Sequence, residues 1–321
     1  MKKWFKRIGI LLLCFFVLLN IMAASYAYRF SHFYPPEEIK DVAFGKLNFS
    51  AKAGYLLLGP KFPKSVITDK PENHFTDITI TTEDNIKLAG WYLQHGIHDS
   101  IKPMGTVLAF HGISASRSAL ADEIDAFYAM GYNVCTVDFR GHGQSEGYTC
   151  TLGHKEVNDI KAVYDFISAK GEKNIILYGR SMGAATILRT TAEKNIHPSG
   201  IIMDAAFGSV PEGVRGRVRM MKKIPVEPFA TLMCFWGGLE EGYWSFGIKT
   251  WESAQKVSCP VLVERGTVDV RVSEEETQHI YNNLTSPQKK LVEYEGCEHE
   301  SFLDKLPEKW KGGVSDFLKG K

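Results

Sequence analysis

Net charge is nearly absent from the 321-residue chain, with 38 Lys and Arg set against 37 Asp and Glu. No whole-molecule field is available to gather a polyanion, so nucleic acid is not expected as a partner. Cysteine is sparse, and the six at positions 14, 135, 150, 234, 259 and 297 show no paired metal-ligand spacing. A zinc site is therefore not expected. Histidine supplies no metal pattern either, because His95 and His98 fall in the loop-like "QHGIHDSIKP" rather than on one helix face. Neither a metal nor an organic cofactor is anticipated. Internal repeats are missing as well. With 44% apolar and 23% charged residues, the composition argues against extensive disorder and for a sizeable core.

One long apolar run stands at the N-terminus, where "IGILLLCFFVLLNIMAA" (Ile8 to Ala24) follows Lys2, Lys3, Lys6 and Arg7. Its seventeen residues lie near the lower limit for a membrane-spanning helix, roughly 17–25. Two readings stand, a retained signal-anchor or a signal peptide cleaved after the small residues flanking Tyr26, and residues 1–28 are assigned to either. A lipid-modified Cys14 is disfavoured because Leu13 precedes it where a small residue is needed. The basic flank holds the N-terminus in the cytoplasm and sends the remainder across the membrane. Residues 29–71, rich in Pro, Phe and Tyr, are expected to form a tether or collar between membrane and domain, with the folded domain occupying 72–321.

That domain opens with "FTDITITTEDNIKLAGWYLQ", two alternating strands joined by a turn at Glu83-Asp84-Asn85. Strands are then expected at 106–110, 133–139, 174–179, 200–205, 260–266 and 290–296, with helices at 115–130, 154–170, 182–195, 273–284 and 301–319. Near-continuous apolar strands alternating with amphipathic helices predict an α/β fold whose mostly parallel sheet is covered on both faces. Such sheets carry their chemistry at the carboxyl ends of the strands.

Three residues fall at such ends. Ser181 lies in "NIILYGRSMGAAT", between Gly179 and Gly183, where a strand gives way to a run of small helix-formers. A serine so placed is a plain Gly-rich turn or N-cap, or a nucleophile on a strained strand-to-helix elbow. Asp269 follows "PVLVERGTV" and His299 follows "KLVEYEGCE". The order Ser, Asp, His suits a nucleophile, an orienting acid and a general base, since a serine hydroxyl is a weak nucleophile until an imidazole takes its proton. Asp204, after "IIM", competes with Asp269 for the acid, and His111 and His142 compete with His299 for the base. An oxyanion hole is expected from the backbone N–H groups of Met182, at a helix start, and Ile113, in the loop after "TVLAFHG".

The pieces "AFHG" (109–112), "DFRGHGQSEG" (138–147), "GRSMG" (179–183), "RGTVDVRV" (265–272) and "GCEHESF" (296–302) occur in the order of the α/β-hydrolases. The chain resembles that superfamily, and within it the serine aminopeptidase S33-like and Bem46-like branch. The resemblance implies Ser181 as nucleophile, Asp269 as acid and His299 as base. It departs from the commoner pattern at Glu264-Arg265 and at Glu298.

Between about 208 and 250 an insertion carries Met220, Met221, Phe229, Leu232, Met233, Phe235, Trp236, Tyr243, Trp244 and Phe246. It is either a small helical lid over an acyl group or a satellite core packed on the sheet. Arg215, Arg217, Arg219, Lys222 and Lys223 form a solvated face or a contact for anionic headgroups. The function expected is a serine hydrolase that cleaves a small-molecule carboxylic ester, thioester or amide through an acyl-enzyme. Acyl transfer to another alcohol on the same triad, and a non-catalytic binding protein on the same fold, are the alternatives.

Overall fold

The structure is a computed structural model that describes residues 2–39, 48–97, 100–221 and 224–321. His98, Lys222 and Lys223 lie outside the described residues. Eight strands form the central sheet: β3 (Thr76–Thr81), β4 (Lys87–Leu93), β5 (Thr106–Phe110), β6 (Asn133–Val137), β7 (Ile175–Arg180), β8 (Gly200–Asp204), β9 (Val261–Gly266) and β10 (Lys289–Tyr294). Their spatial order is β10-β9-β8-β7-β5-β6-β4-β3. Pairing is antiparallel for β3–β4 and β4–β6 and parallel elsewhere. Every expected strand is present to within two residues at each end. β6 stops short of 139, and just past its end the Asp138 carboxylate accepts from the Arg117 and Gln144 N–H groups.

The sheet is buried on both faces, as its continuous apolar strands require. In β5, Leu108 and Phe110 join one core while Val107 and Ala109 join the other. Helices α4 (Val157–Ser168) and α5 (Met182–Glu193) cover the first face, and α3 (Ala121–Ala129) and α11 (Pro307–Gly320) cover the second. The expected helix at 301–319 is broken into α10 (Phe302–Lys305) and α11, with Pro307 starting the latter as an N-terminal proline can. α9 (Glu274–Asn283) begins with a reciprocal capping box between Ser273 and Glu276. Chain order reverses beside β5 and β7, so a crevice opens at the carboxyl end of β7.

The insertion folds as α6 (Val210–Met220), α7 (Phe229–Glu241) and α8 (Thr250–Ala254). Phe229 and Met233 are buried in the first core, whereas Phe207, Gly213 and Arg217 face the crevice. The segment thus packs as a satellite core and walls the crevice at once.

The N-terminal region, expected as an anchor followed by a tether or collar, packs on the domain along part of its length. Helix α1 (Lys2–Ser31) is long and apolar enough to cross a membrane, and most of its apolar stretch is exposed. One face of its C-terminal turns is covered. Ala23, Tyr26, Ala27 and Phe30 are buried, Tyr26 meets Phe229 edge-on at 5.1 Å, and Asn20 accepts from the Trp236 indole at 3.1 Å. Beyond α1, β1 (Phe33–Tyr34) pairs with β2 (Phe62–Pro63), and helix α2 (Phe49–Leu58) lies between them in sequence. The chain then straps the loop after β5. Ser65 donates to the Ala115 carbonyl at 2.7 Å and accepts from Gly143 N–H, while Ser116 donates to the Val66 carbonyl at 2.9 Å. Among the described residues of 29–71, those around Ser65 and Val66 thus bond to the loops that carry Ala115, Ser116 and Gly143.

Candidate active site

The elbow is built by close approach. Ser181 sits at φ 55° and ψ −113°, a conformation that strains any residue with a side chain. A Cβ at Gly179 would meet Ala184 N at 2.6 Å, and one at Gly183 would meet the Phe110 carbonyl oxygen at 2.3 Å. Those two glycines let β7 fold back onto α5 beside β5, which holds Ser181 at the floor of the crevice. Its backbone N–H is fastened to the Asp204 carbonyl at 2.7 Å.

Asp269 and His299 come from the loops after β9 and β10. His299 Nδ1 and Asp269 Oδ2 are 2.7 Å apart, with the Asp269 side chain almost wholly buried. The other carboxylate oxygen accepts from Arg271 N–H at 2.7 Å and Val272 N–H at 3.0 Å. Burial alone would raise the Asp269 pKa, but the His299 bond and these two backbone donors outweigh it and hold the group below its ordinary value. An ionised Asp269 keeps the proton on Nδ1 of His299 and leaves Nε2 as the free acceptor. His299 lines the same crevice as Ser181, Gly112 and Ile113, a cavity of about 160 Å³.

The rival residues are otherwise engaged. Both histidines have Nε2 occupied by a backbone donor, Phe139 N–H at 3.0 Å for His111 and Ser114 N–H at 3.1 Å for His142. Their Nδ1 atoms donate to the carbonyls of Gly112 and Arg140. Burial lowers their pKa values to about 4 and about 3, so both stay neutral and shape the loops around the crevice. Asp204 pairs across the sheet with Glu264, its register neighbour on β9. Tyr178 donates to Asp204 at 2.7 Å and Tyr294 donates to Glu264. One buried oxygen of each carboxyl is left without a donor unless a proton bridges them. Burial raises both pKa values, and the neighbouring Asp204 charge pushes that of Glu264 further up, the direction expected of two carboxyls that share one proton.

At the proposed oxyanion positions, Met182 opens α5, so its N–H has no intrahelical acceptor. Gly112, just before Ile113, lies so near the elbow that a Cβ there would stand 3.4 Å from Ser181 Cβ. Sequence reasoning missed Glu123. This buried carboxylate pairs with Arg180, the residue before Ser181, and accepts from Ser301, two residues after His299, at 2.6 Å. It ties the two loops to one point. Its place inside α3 offered no sequence signal. Phe30, from the N-terminal helix, is a second unforeseen wall of the cavity.

Among the described residues no group of three or more His, Cys, Asp or Glu is arranged to hold a metal ion. The family model for the serine aminopeptidases, S33, matches residues 101–236 and 239–306. The chain belongs to this family. Among solved structures, the esterase Pf2001 of Pyrococcus furiosus superposes on this S33 member with a TM-score of 0.67 and 28% identity, covering 80% of this chain and 96% of the esterase. The uncharacterized protein YqkD of Bacillus subtilis is 27% identical over 216 residues, 66% of this chain and 70% of its own. Lysophosphatidylserine lipase ABHD12 of Xenopus tropicalis is 22% identical over 269 residues, and the match spans 73% of this chain and 65% of the lipase. The fold is that of the α/β-hydrolases, and the esterase and lipase relatives support a hydrolase.

Proposed function

We propose that this S33 member is a serine hydrolase that cleaves a carboxylic ester through an acyl-enzyme on Ser181. His299 Nε2 takes the Ser181 proton as Oγ attacks the carbonyl carbon, and the oxyanion is received by the Ile113 and Met182 N–H groups. Collapse of the tetrahedral intermediate expels the alcohol, which takes the proton from His299. Water activated by the same imidazole then releases the acid and restores Ser181. The observation that carries this reading is the Asp269–His299 hydrogen bond of 2.7 Å, held by two backbone donors, in loops that bring His299 to the cavity containing Ser181. Esters are preferred to amides because the solved relative of highest similarity quoted above is named an esterase.

Helix α1 serves here as a retained anchor. Cleavage near Ala27 would remove the buried Ala23 and Tyr26 from their packing against α7 and leave Phe30, a wall of the cavity, near a new chain end without the helix that positions it. Its basic N-terminal flank places the hydrolase domain outside the cytoplasm. Turnover of 4-nitrophenyl butyrate by Ser181→Ala, His299→Ala and the double variant tests the mechanism. Each single change should cost several orders of magnitude and the pair little more, because the groups act as a unit. A double variant far worse than either single one would detach His299 from Ser181.

A further inference from the structure

The basic run on α6 is divided by helix geometry. Arg215 pairs with Glu227 at 2.6 Å and Arg219 is exposed. Arg217 instead turns inward beside the buried Val214 and Val218 and lines the Ser181 cavity. Gly216 explains how a second cation joins it. A Cβ there would stand 2.2 Å from the Arg271 carbonyl oxygen, so α6 lies directly on the loop that carries Asp269 and Arg271. Arg271 lines the same cavity.

The arginines most enclosed elsewhere have carboxylate partners: Arg117 with Asp138, Arg140 with Asp159, Arg180 with Glu123, Arg189 with Glu193 and Arg265 with Glu293, whereas Arg217 and Arg271 are half-buried. Arg217 and Arg271 have none among the described residues. Arg217 reaches only the Ile113 carbonyl, at 3.4 Å, and the face of Phe30, at 5.6 Å. Glu300, on the His299 side of the cavity, is paired with Lys305 at 3.2 Å. Burial and the neighbouring Arg271 charge lower the Arg217 pKa to about 10, the direction expected of two cations sharing a low-dielectric wall without a counterion. Both arginines also line an adjoining open groove of about 510 Å³ with Tyr26, Phe30 and Phe62, through which a charged group can enter.

We propose that Arg217 and Arg271 form an anion subsite beside Ser181, and that the preferred substrate is an ester bearing a phosphate or carboxylate close to the scissile bond. This rests on the serine-hydrolase reading for its catalytic half. The guanidinium fork of Arg217 supplies charge-assisted bonds to such a group, and the aromatic wall keeps water from screening them.

The test uses the full chain in neutral detergent with 4-nitrophenyl butyrate and its 3-carboxy analogue, which differ by one negative charge. Comparing the ratio of their kcat/KM values between variants cancels their intrinsic reactivity. Arg217→Met should lower the anionic-to-neutral ratio by about tenfold or more, Arg271→Met should act in the same direction, and Arg217→Lys should lose less. Ratios within about twofold of the parent in both Met variants would overturn the subsite. Calorimetry on Ser181→Ala protein separates this from failure of the hydrolase reading. Binding of glycerol 3-phosphate or of an ether-linked lysophosphatidic acid, lost in Ser181→Ala/Arg217→Met, upholds the subsite even if no ester is turned over. Tighter binding of the lipid identifies a membrane source for the anion, and equal binding a soluble one. Binding of neither would refute the proposal.

Discussion

Replacing Asp269 by Asn separates orientation of the base from mere packing. The carboxylate accepts from Arg271 N–H, Val272 N–H and His299 Nδ1. In the variant, the amide oxygen must stay on the two backbone donors, because an NH2 group there would face N–H against N–H. The NH2 is thus presented to His299, which can bind it only by turning Nδ1 into an acceptor and moving the proton to Nε2. That tautomer cannot take the Ser181 proton. The expected loss in kcat is on the order of ten-thousandfold, or about 5.5 kcal/mol of transition-state stabilisation. The two backbone bonds survive, so the loss of folding stability should stay within about 1 kcal/mol. Asp204→Asn provides the contrast. There the amide oxygen can keep the Tyr178 bond while its NH2 donates toward a Glu264 oxygen, and activity should fall by less than about tenfold. Steady-state hydrolysis of 4-nitrophenyl butyrate with matched thermal melts makes the comparison. Equal losses, or a larger loss for Asp204→Asn in a folded protein, would refute the assignment of Asp269.

Two further outcomes follow from the packing and the buried carboxyl pair. Phe30→Ala should lower stability by about 3 kcal/mol, as truncation of a buried aromatic does, and a chain starting at Glu72 should unfold at lower temperature than the full chain; thermal melts in neutral detergent measure both. Glu264 holds its proton in the folded state above the ordinary carboxylate range, so its contribution is complete below the unfolded pKa and lost as pH rises through the folded one. Glu264→Gln, which cannot ionise, should therefore gain stability relative to the parent as pH rises above the ordinary carboxylate range of about 4–4.5, and a stability difference that stays constant with pH would deny the shared proton.

The sheet was legible because a strand buried on both faces must be apolar throughout, and "TVLAF" and "NIILYG" show it directly. Strand ends and glycines brought Ser181, Asp269 and His299 forward as candidates, while the choice of Asp269 over Asp204 came from the family resemblance. The N-terminal region resisted the same reasoning. An apolar helix reads alike whether lipid or protein covers it, and the cover for Tyr26 is Phe229, more than two hundred residues away. β1 and β2 are two residues each, too short for any alternation to register. Arg217 was visible only as one of several alternating cations. Its inward turn depends on Gly216 meeting the Arg271 backbone, a contact between two elements that no local pattern records.

The central claim is that Ser181 is a nucleophile activated by His299, and covalent labelling reads it most directly. Full-length protein should react with a fluorophosphonate and carry the adduct on the peptide containing Ser181, identified by mass spectrometry. Labelling should vanish in Ser181→Ala and slow by orders of magnitude in His299→Ala. A folded protein that does not label, or one whose labelling survives Ser181→Ala, would contradict the account.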